Sequence, residues 1–205
     1  MKTRLSIGLR LLAVFALALG GAFIFIRPVG ATTIVDGGEI AAGETIDDDA
    51  VVTGEKVVVA GTVNGILFAF GDTITINGVI NGDVIAMGSQ VIIGEEAQVN
   101  GNLFMGCQSA RIAGQISGSV LGGMTWMVLG DTAQVDRNLY FGGYSLEIGS
   151  GAVVGRDASA GAYQLILAGD IERDLNLQPG ITANGPGHFK GPGIEIQVTL
   201  DVTSQ

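Results

Sequence analysis

Arg137, Arg156 and Arg173 recur at intervals of 19 and 17 residues, and each is followed at once by a carboxamide or carboxylate: Asn138, Asp157 and Asp174. Stacked guanidinium groups repel one another, so they call for a bound anion or for the neighbouring aspartates as partners. The same five charged residues therefore read either as an anion site or as an exposed ladder of ion pairs. Asp47-Asp48-Asp49 likewise reads as a weak cation site or as a solvated acidic corner. His188 is the sole histidine, so no histidine-based triad and no multi-histidine metal site can be built. Carboxylates are dispersed along the chain, which argues against a polysaccharide-cleaving enzyme. The sequence thus assigns no catalytic, cofactor-binding or metal-ligating residue and predicts a protein that is not an enzyme.

What positions these residues is a repeat. Val63-Asn64-Gly65, Ile80-Asn81-Gly82 and Val99-Asn100-Gly101 are one tripeptide in one setting. The register extends to turn starts at Ile46, Val63, Ile80, Val99, Ile116, Val135, Val154 and Ile171, spaced 17, 17, 19, 17, 19, 19 and 17 residues apart. Aliphatic or small residues recur four, six, eleven and thirteen positions after each start, as in Leu67, Ile74 and Ile76. Spacing by two is the signature of a strand. A unit this short has no core of its own and must bury its apolar positions by stacking, which makes a solenoid. Three short apolar segments per repeat predict an all-β fold, a three-sided parallel β-helix of about eight turns. Rungs stack about 4.8 Å apart, so eight of them reach roughly 40 Å. The 17-residue turns close with short corners such as Asn77-Gly78-Val79 and Ala113-Gly114-Gln115. The 19-residue turns insert two residues at Gly94–Gln98, Gly130–Gln134 and Gly149–Val153. Asn-Gly at the corners suggests positive φ. A hexapeptide acyltransferase would repeat its aliphatics every six residues, which this chain does not.

Glycine accounts for 34 of 205 residues, but at fixed corner positions that alternate with Val, Ile and Leu, so the composition is not that of a disordered linker. Net charge is −10, and −14 once the four basic residues before position 28 are set aside, which excludes nucleic acid as an expected partner. Cys107, the single cysteine, falls in a small-residue column with Gly54, Gly71, Gly88 and Gly143 and reads as a small buried hydrophobe. Lys2, Arg4 and Arg10 precede an apolar run from Leu11 to Ile26 that stops at Arg27-Pro28, the pattern of an export signal. As a helix this run spans about 24 Å, against a hydrocarbon core of about 30 Å. Cleavage near Val29-Gly30-Ala31 and retention as an N-terminal membrane anchor both fit. The expected organisation is an export segment or anchor over 1–31, a solenoid over 32–177, and a Pro/Gly-rich loop with a terminal capping strand over 178–205.

Several expectations attach to the edges of the repeat. Ile40 and Ala42 take the positions of Val57 and Val59 in an incomplete first rung, whereas Thr182 and Asn184 stand where the last turn needs aliphatics. His188 falls in the loop outside the repeat. Ile194 to Val202 alternates as a clean strand that either caps the solenoid or pairs with another chain. One outward stripe is apolar: Val51, Phe68, Ile85, Phe104, Leu121 and Tyr140, extended by Phe70 and Met87. A stripe of this kind marks a contact surface, filled by the chain's own terminal strand, by another copy or by a membrane.

Gly71-Asp72-Thr73-Ile74-Thr75-Ile76-Asn77-Gly78, followed by Ile80-Asn81-Gly82-Asp83-Val84-Ile85-Ala86-Met87-Gly88, resembles the repeat of the bactofilins, polymer-forming cytoskeletal proteins, over about residues 46 to 177. That resemblance implies a right-handed β-helix that polymerises end to end without a nucleotide, takes no cofactor, has itself as its main partner and often touches membrane. Bactofilins are cytoplasmic, whereas this chain begins with an export pattern. The expected function is a self-assembling structural or scaffolding solenoid, exported and held in the cell envelope or outside the cell, with a membrane contact if the N-terminal segment is kept. The alternative is an exported β-helix that binds or modifies glycan.

Overall fold

The structure, a computed structural model, describes residues 32–178 and 182–189. The expected export segment and the alternating stretch at 194–202 lie outside the described residues. Twenty-three strands run from Thr33–Asp36 to His188–Phe189, with no helix among the described residues. Every strand pairing between neighbouring turns is parallel, in one 14-stranded and one 9-stranded sheet. The larger sheet covers two faces. Its ten-residue strands, such as Leu67–Ile76 and Leu139–Ile148, bend from the first face onto the second, while other turns break there, as between Leu103–Gly106 and Ser109–Ile112. The third face is a stack of two-residue strands. The molecule is therefore a parallel β-solenoid, as the repeat predicts.

Its interior is built from the columns that the period names. Ile46, Val63, Ile80, Val99, Ile116, Val135, Val154 and Ile171 are consecutive partners on the third face, and all are buried. Ala50, Leu67, Val84, Leu103, Val120, Leu139, Ala158 and Leu175 do the same on the first face. On the second face the Ile74/Ile76 pair stacks on Val91/Ile93, and each of these is fully buried. No polar or charged side chain is buried among the described residues, so the core is apolar throughout and its burial is the main drive of the fold.

Corners absorb the change in turn length. In the long ones the backbone closes on itself: Ala97 N–H donates to Gly94 O at 3.1 Å, Ala133 to Gly130 at 2.9 Å and Ala152 to Gly149 at 3.0 Å. Each closing alanine is buried. A short corner must then pass close beneath a long one. A Cβ on Gly114 would lie 2.5 Å from the carbonyl oxygens of both Ala97 and Gly94, so only glycine fits.

Four expectations need correction. The first rung is offset: Ile40 pairs with Val59, not Val57, and Ala42 lies in the corner instead of the column. The cause is a long corner at Ala41–Thr45, closed by Glu44 N–H to Ala41 O at 3.1 Å and turned by Gly43 at φ 84°. At the other end the register shifts by one. Thr182 pairs with Gln164 and Asn184 with Ile166, so Ala183 continues the column of Leu165. His188-Phe189 pairs with Asp170-Ile171, which puts His188 inside the repeat and makes a ninth strand on the third face. Pairing thus runs past Leu177, beyond the expected end of the solenoid. Finally, the Asn-Gly corners do not use positive φ, which is confined among described residues to Gly37, Gly38, Gly43 and Gly185. Gly65 is needed instead for close approach, because a Cβ there would meet Asp48 C at 2.6 Å.

Candidate functional site

At the corner between the third and first faces, polar side chains form two ladders along the solenoid. The first is made of amides. Asn64 Nδ2 donates to Asp47 Oδ1 at 2.6 Å, Asn81 Nδ2 to Asn64 Oδ1 at 2.6 Å and Asn100 Nδ2 to Asn81 Oδ1 at 2.7 Å. The second ladder was not anticipated from the sequence. It repairs a switch in backbone pairing: at the start of each first-face strand the N–H points to the next turn, as from Leu67 to Asp83 O, and the preceding residue's N–H needs another acceptor. A side chain one turn back supplies it. Asp49 Oδ1 accepts from Ile66 N at 2.7 Å, Asp83 from Asn102 at 2.7 Å, Asn102 from Ser119 at 3.0 Å, Asn138 from Asp157 at 3.2 Å and Asp157 from Asp174 at 3.3 Å. The signal was present as a column of short oxygen-bearing side chains at one repeat position.

These ladders locate the charged candidates. Asp47 and Asp49 head the two ladders, so both are engaged by the fold. Arg137, Arg156 and Arg173 occupy the exposed column where earlier turns carry Gly65, Gly82, Gly101 and Gly118. Arg173 Nε lies 3.4 Å from Asp157 Oδ1, an ion pair with side-chain exposures of 57% and 29%. Such a pair contributes about 0–1 kcal/mol. Asp157 thus serves both the ion pair and the backbone of Asp174. No three His, Cys, Asp or Glu side chains converge on a metal-sized site among the described residues.

The apolar stripe is a continuous column on the first face. Ile34, Val51, Phe68, Ile85, Phe104, Leu121 and Tyr140 are successive partners, followed by Ser159 and Asn176. They alternate with the buried column and point away from it. Two positions on, a parallel column runs through Asp36, Thr53, Phe70 and Met87 and continues as Gly106, Gly123, Gly142 and Gly161. Phe70 is 37% exposed, Met87 53%, Leu121 47% and Tyr140 41%. Where the glycines begin, the face sinks into an open groove of about 510 Å³, lined by Leu121, Tyr140, Ser159, Asn176 and Gln178 around Gly123, Gly142 and Gly161. The outward columns of the other faces are mixed: Arg111 and Glu147 alternate with Ile92, Val128 and Ile166 on the second, and Gln98, Gln115 and Gln134 lie between Val79 and Val153 on the third.

At the bend between the first and second faces, Tyr144 and Tyr163 stack with ring centroids 5.2 Å apart. Cys107 lies at the same bend. It is half-buried rather than buried, with Sγ 3.8 Å from Met124 Sδ, and desolvation raises its thiol pKa. Met124, not glycine, is its partner in the next turn.

No curated protein and no solved structure gives a significant match to the chain. Residues 67–157 match the family model for bactofilin, described as polymer-forming cytoskeletal. The matched segment covers the central turns, with the middle members of both ladders, the apolar stripe from Phe68 to Tyr140 and the Phe70-to-Gly142 column. Over residues 67–157 the β-solenoid is thus similar to a bactofilin domain.

Proposed function

We propose that this protein is a non-enzymatic scaffold that assembles with itself, exported and acting at the cell envelope or outside the cell. The observation that carries the reading is an apolar outer face on turns that match a polymer-forming family. A large exposed apolar patch on a soluble domain marks a contact surface. A stacked parallel ladder also accepts a further strand at each end, so copies of one solenoid can pair without a nucleotide. The polar groups that a glycan enzyme would gather are spent elsewhere: Asp49, Asp83 and Asp157 hold backbone N–H groups, and Asp47 anchors an amide ladder. Export rests on the basic residues before Leu11 and the apolar run that follows, and retention of that run would tether the solenoid to a membrane.

Electron microscopy of the purified protein without nucleotide tests the reading, and filaments or sheets are expected. Dispersed single particles together with depolymerisation of a glycan, lost on Arg156→Ala, would replace the scaffold with an enzyme.

A further inference from the structure

The groove on the first face has no structural reason to exist. Gly123 and Gly142 have neither positive φ nor a neighbour that a side chain would strike: a Cβ at either meets nothing within 4 Å. Glycine inside a strand weakens it, and where packing does not require it the common cause is close approach by something else. Farther up the same column stand Phe70 and Met87, large and exposed.

We propose that two copies pair through this face with their solenoid axes antiparallel, about a two-fold axis along the strand of Phe104 to Gly106. Such an axis keeps each column facing itself and reverses the order of the turns. Gly106 then faces its own copy. Met87, one turn before, faces Gly123 of the other copy, one turn after, and Phe70 faces Gly142. The two large apolar side chains of this column meet the two glycines that leave open space, while exposed Thr53 and Asp36 lie beyond them at its polar end. In the neighbouring column Phe104 faces Phe104, Ile85 faces Leu121 and Phe68 faces Tyr140. At the rim Val51 faces Ser159 and Ile34 faces Asn176, which gives an apolar centre and a polar edge. A two-fold along the solenoid axis would instead exchange the two columns, setting Phe70 against Phe68 and Met87 against Ile85, large on large, with Gly123 against Leu121. Nine rungs of four-residue strand offer about 40 Å by about 14 Å, or roughly 1,100 Å² over both copies, just above the roughly 1,000 Å² that a specific interface needs. This partner and orientation deepen the scaffold reading, which would survive their loss if growth runs only through the ends.

Disulfide trapping in the full chain, with Cys107→Ala as background, tests the pairing. Under mild oxidation, Gly106→Cys alone and the double variant Phe70→Cys with Gly142→Cys are expected to form covalent dimers, whereas Phe70→Cys alone forms none. Cross-linking of Phe70→Cys alone, or no cross-linking in any variant while microscopy still shows filaments, would overturn the proposal and leave the scaffold intact. Gly142→Lys is expected to keep its circular dichroism and to weaken pairing at least 100-fold in sedimentation equilibrium. If it pairs normally, or if the wild-type face binds zwitterionic vesicles and Gly142→Lys abolishes that binding, the occupant is not a second copy.

Discussion

Two glycine-to-alanine substitutions should have opposite effects, and the difference follows from where each glycine sits. At Gly114 the added Cβ would lie 2.5 Å from Ala97 O and Gly94 O, about 1 Å inside ordinary contact, and both oxygens belong to the backbone of one closed corner. Gly94 O cannot withdraw without opening the hydrogen bond from Ala97 N, nor Ala97 O without opening the one from Gln115 N. Overpacking of this kind costs about 1–3 kcal/mol. At Gly142 the Cβ meets open space at negative φ, so alanine removes only unfolded-state freedom and stabilises by about 0.4–1 kcal/mol. The two variants should differ by about 1.4–4 kcal/mol, or roughly 3–16 °C in Tm for a domain of this size. Thermal melts by circular dichroism at matched dilute concentration measure it. Equal melting temperatures, or a less stable Gly142→Ala, would refute the stacking of short corners under long ones.

Further substitutions probe the columns and ladders. Val99→Asp puts a carboxylate between Ile80 and Ile116, where nothing can pair with it, at a cost of several kcal/mol; the variant is expected in inclusion bodies, whereas exposed Asn81→Asp should remain soluble and lose under about 1 kcal/mol. Asp83→Ala removes the acceptor of both Asn102 N and Asn102 Nδ2, and chemical denaturation should show a loss of about 1–3 kcal/mol, with Asp83→Asn losing less. Burial raises the Cys107 pKa, so the thiolate is scarcer at pH 8 than in free cysteine; alkylation by iodoacetamide should be slower than for a free thiol and should accelerate as pH rises. Because the folded pKa lies above the unfolded one, the group's contribution to stability is full below the unfolded pKa and is lost as pH rises towards the folded value.

The buried columns were legible because a side chain facing inward in every turn must be aliphatic in every turn, and that constraint prints a period. Corner lengths were legible for the same reason, since the extra two residues at Gly94–Gln98 restore the columns on either side. The ends were harder. The expected place of Ile40 is two residues off because the corner after it lacks the leading glycine of Gly94, Gly130 and Gly149, and Ala183 is hidden because the register shifts by one after Ile171. Asn-Gly suggested a turn conformation, whereas the local constraint is contact between turns, which single-residue propensities do not encode. The oxygen ladder was visible only as a column of mixed Asp, Asn and Ser, whose shared role is to accept one N–H. The groove stayed hidden because Gly123 and Gly142 look in sequence like the glycines that packing requires.

The central claim is that the solenoid assembles with itself through its own surfaces. Sedimentation velocity of the purified protein from tens of micromolar downward, with and without added ATP or GTP, tests it most directly. Large species that grow with concentration and do not respond to nucleotide are the predicted result. A single monomeric boundary near 20.9 kDa at every concentration would contradict it.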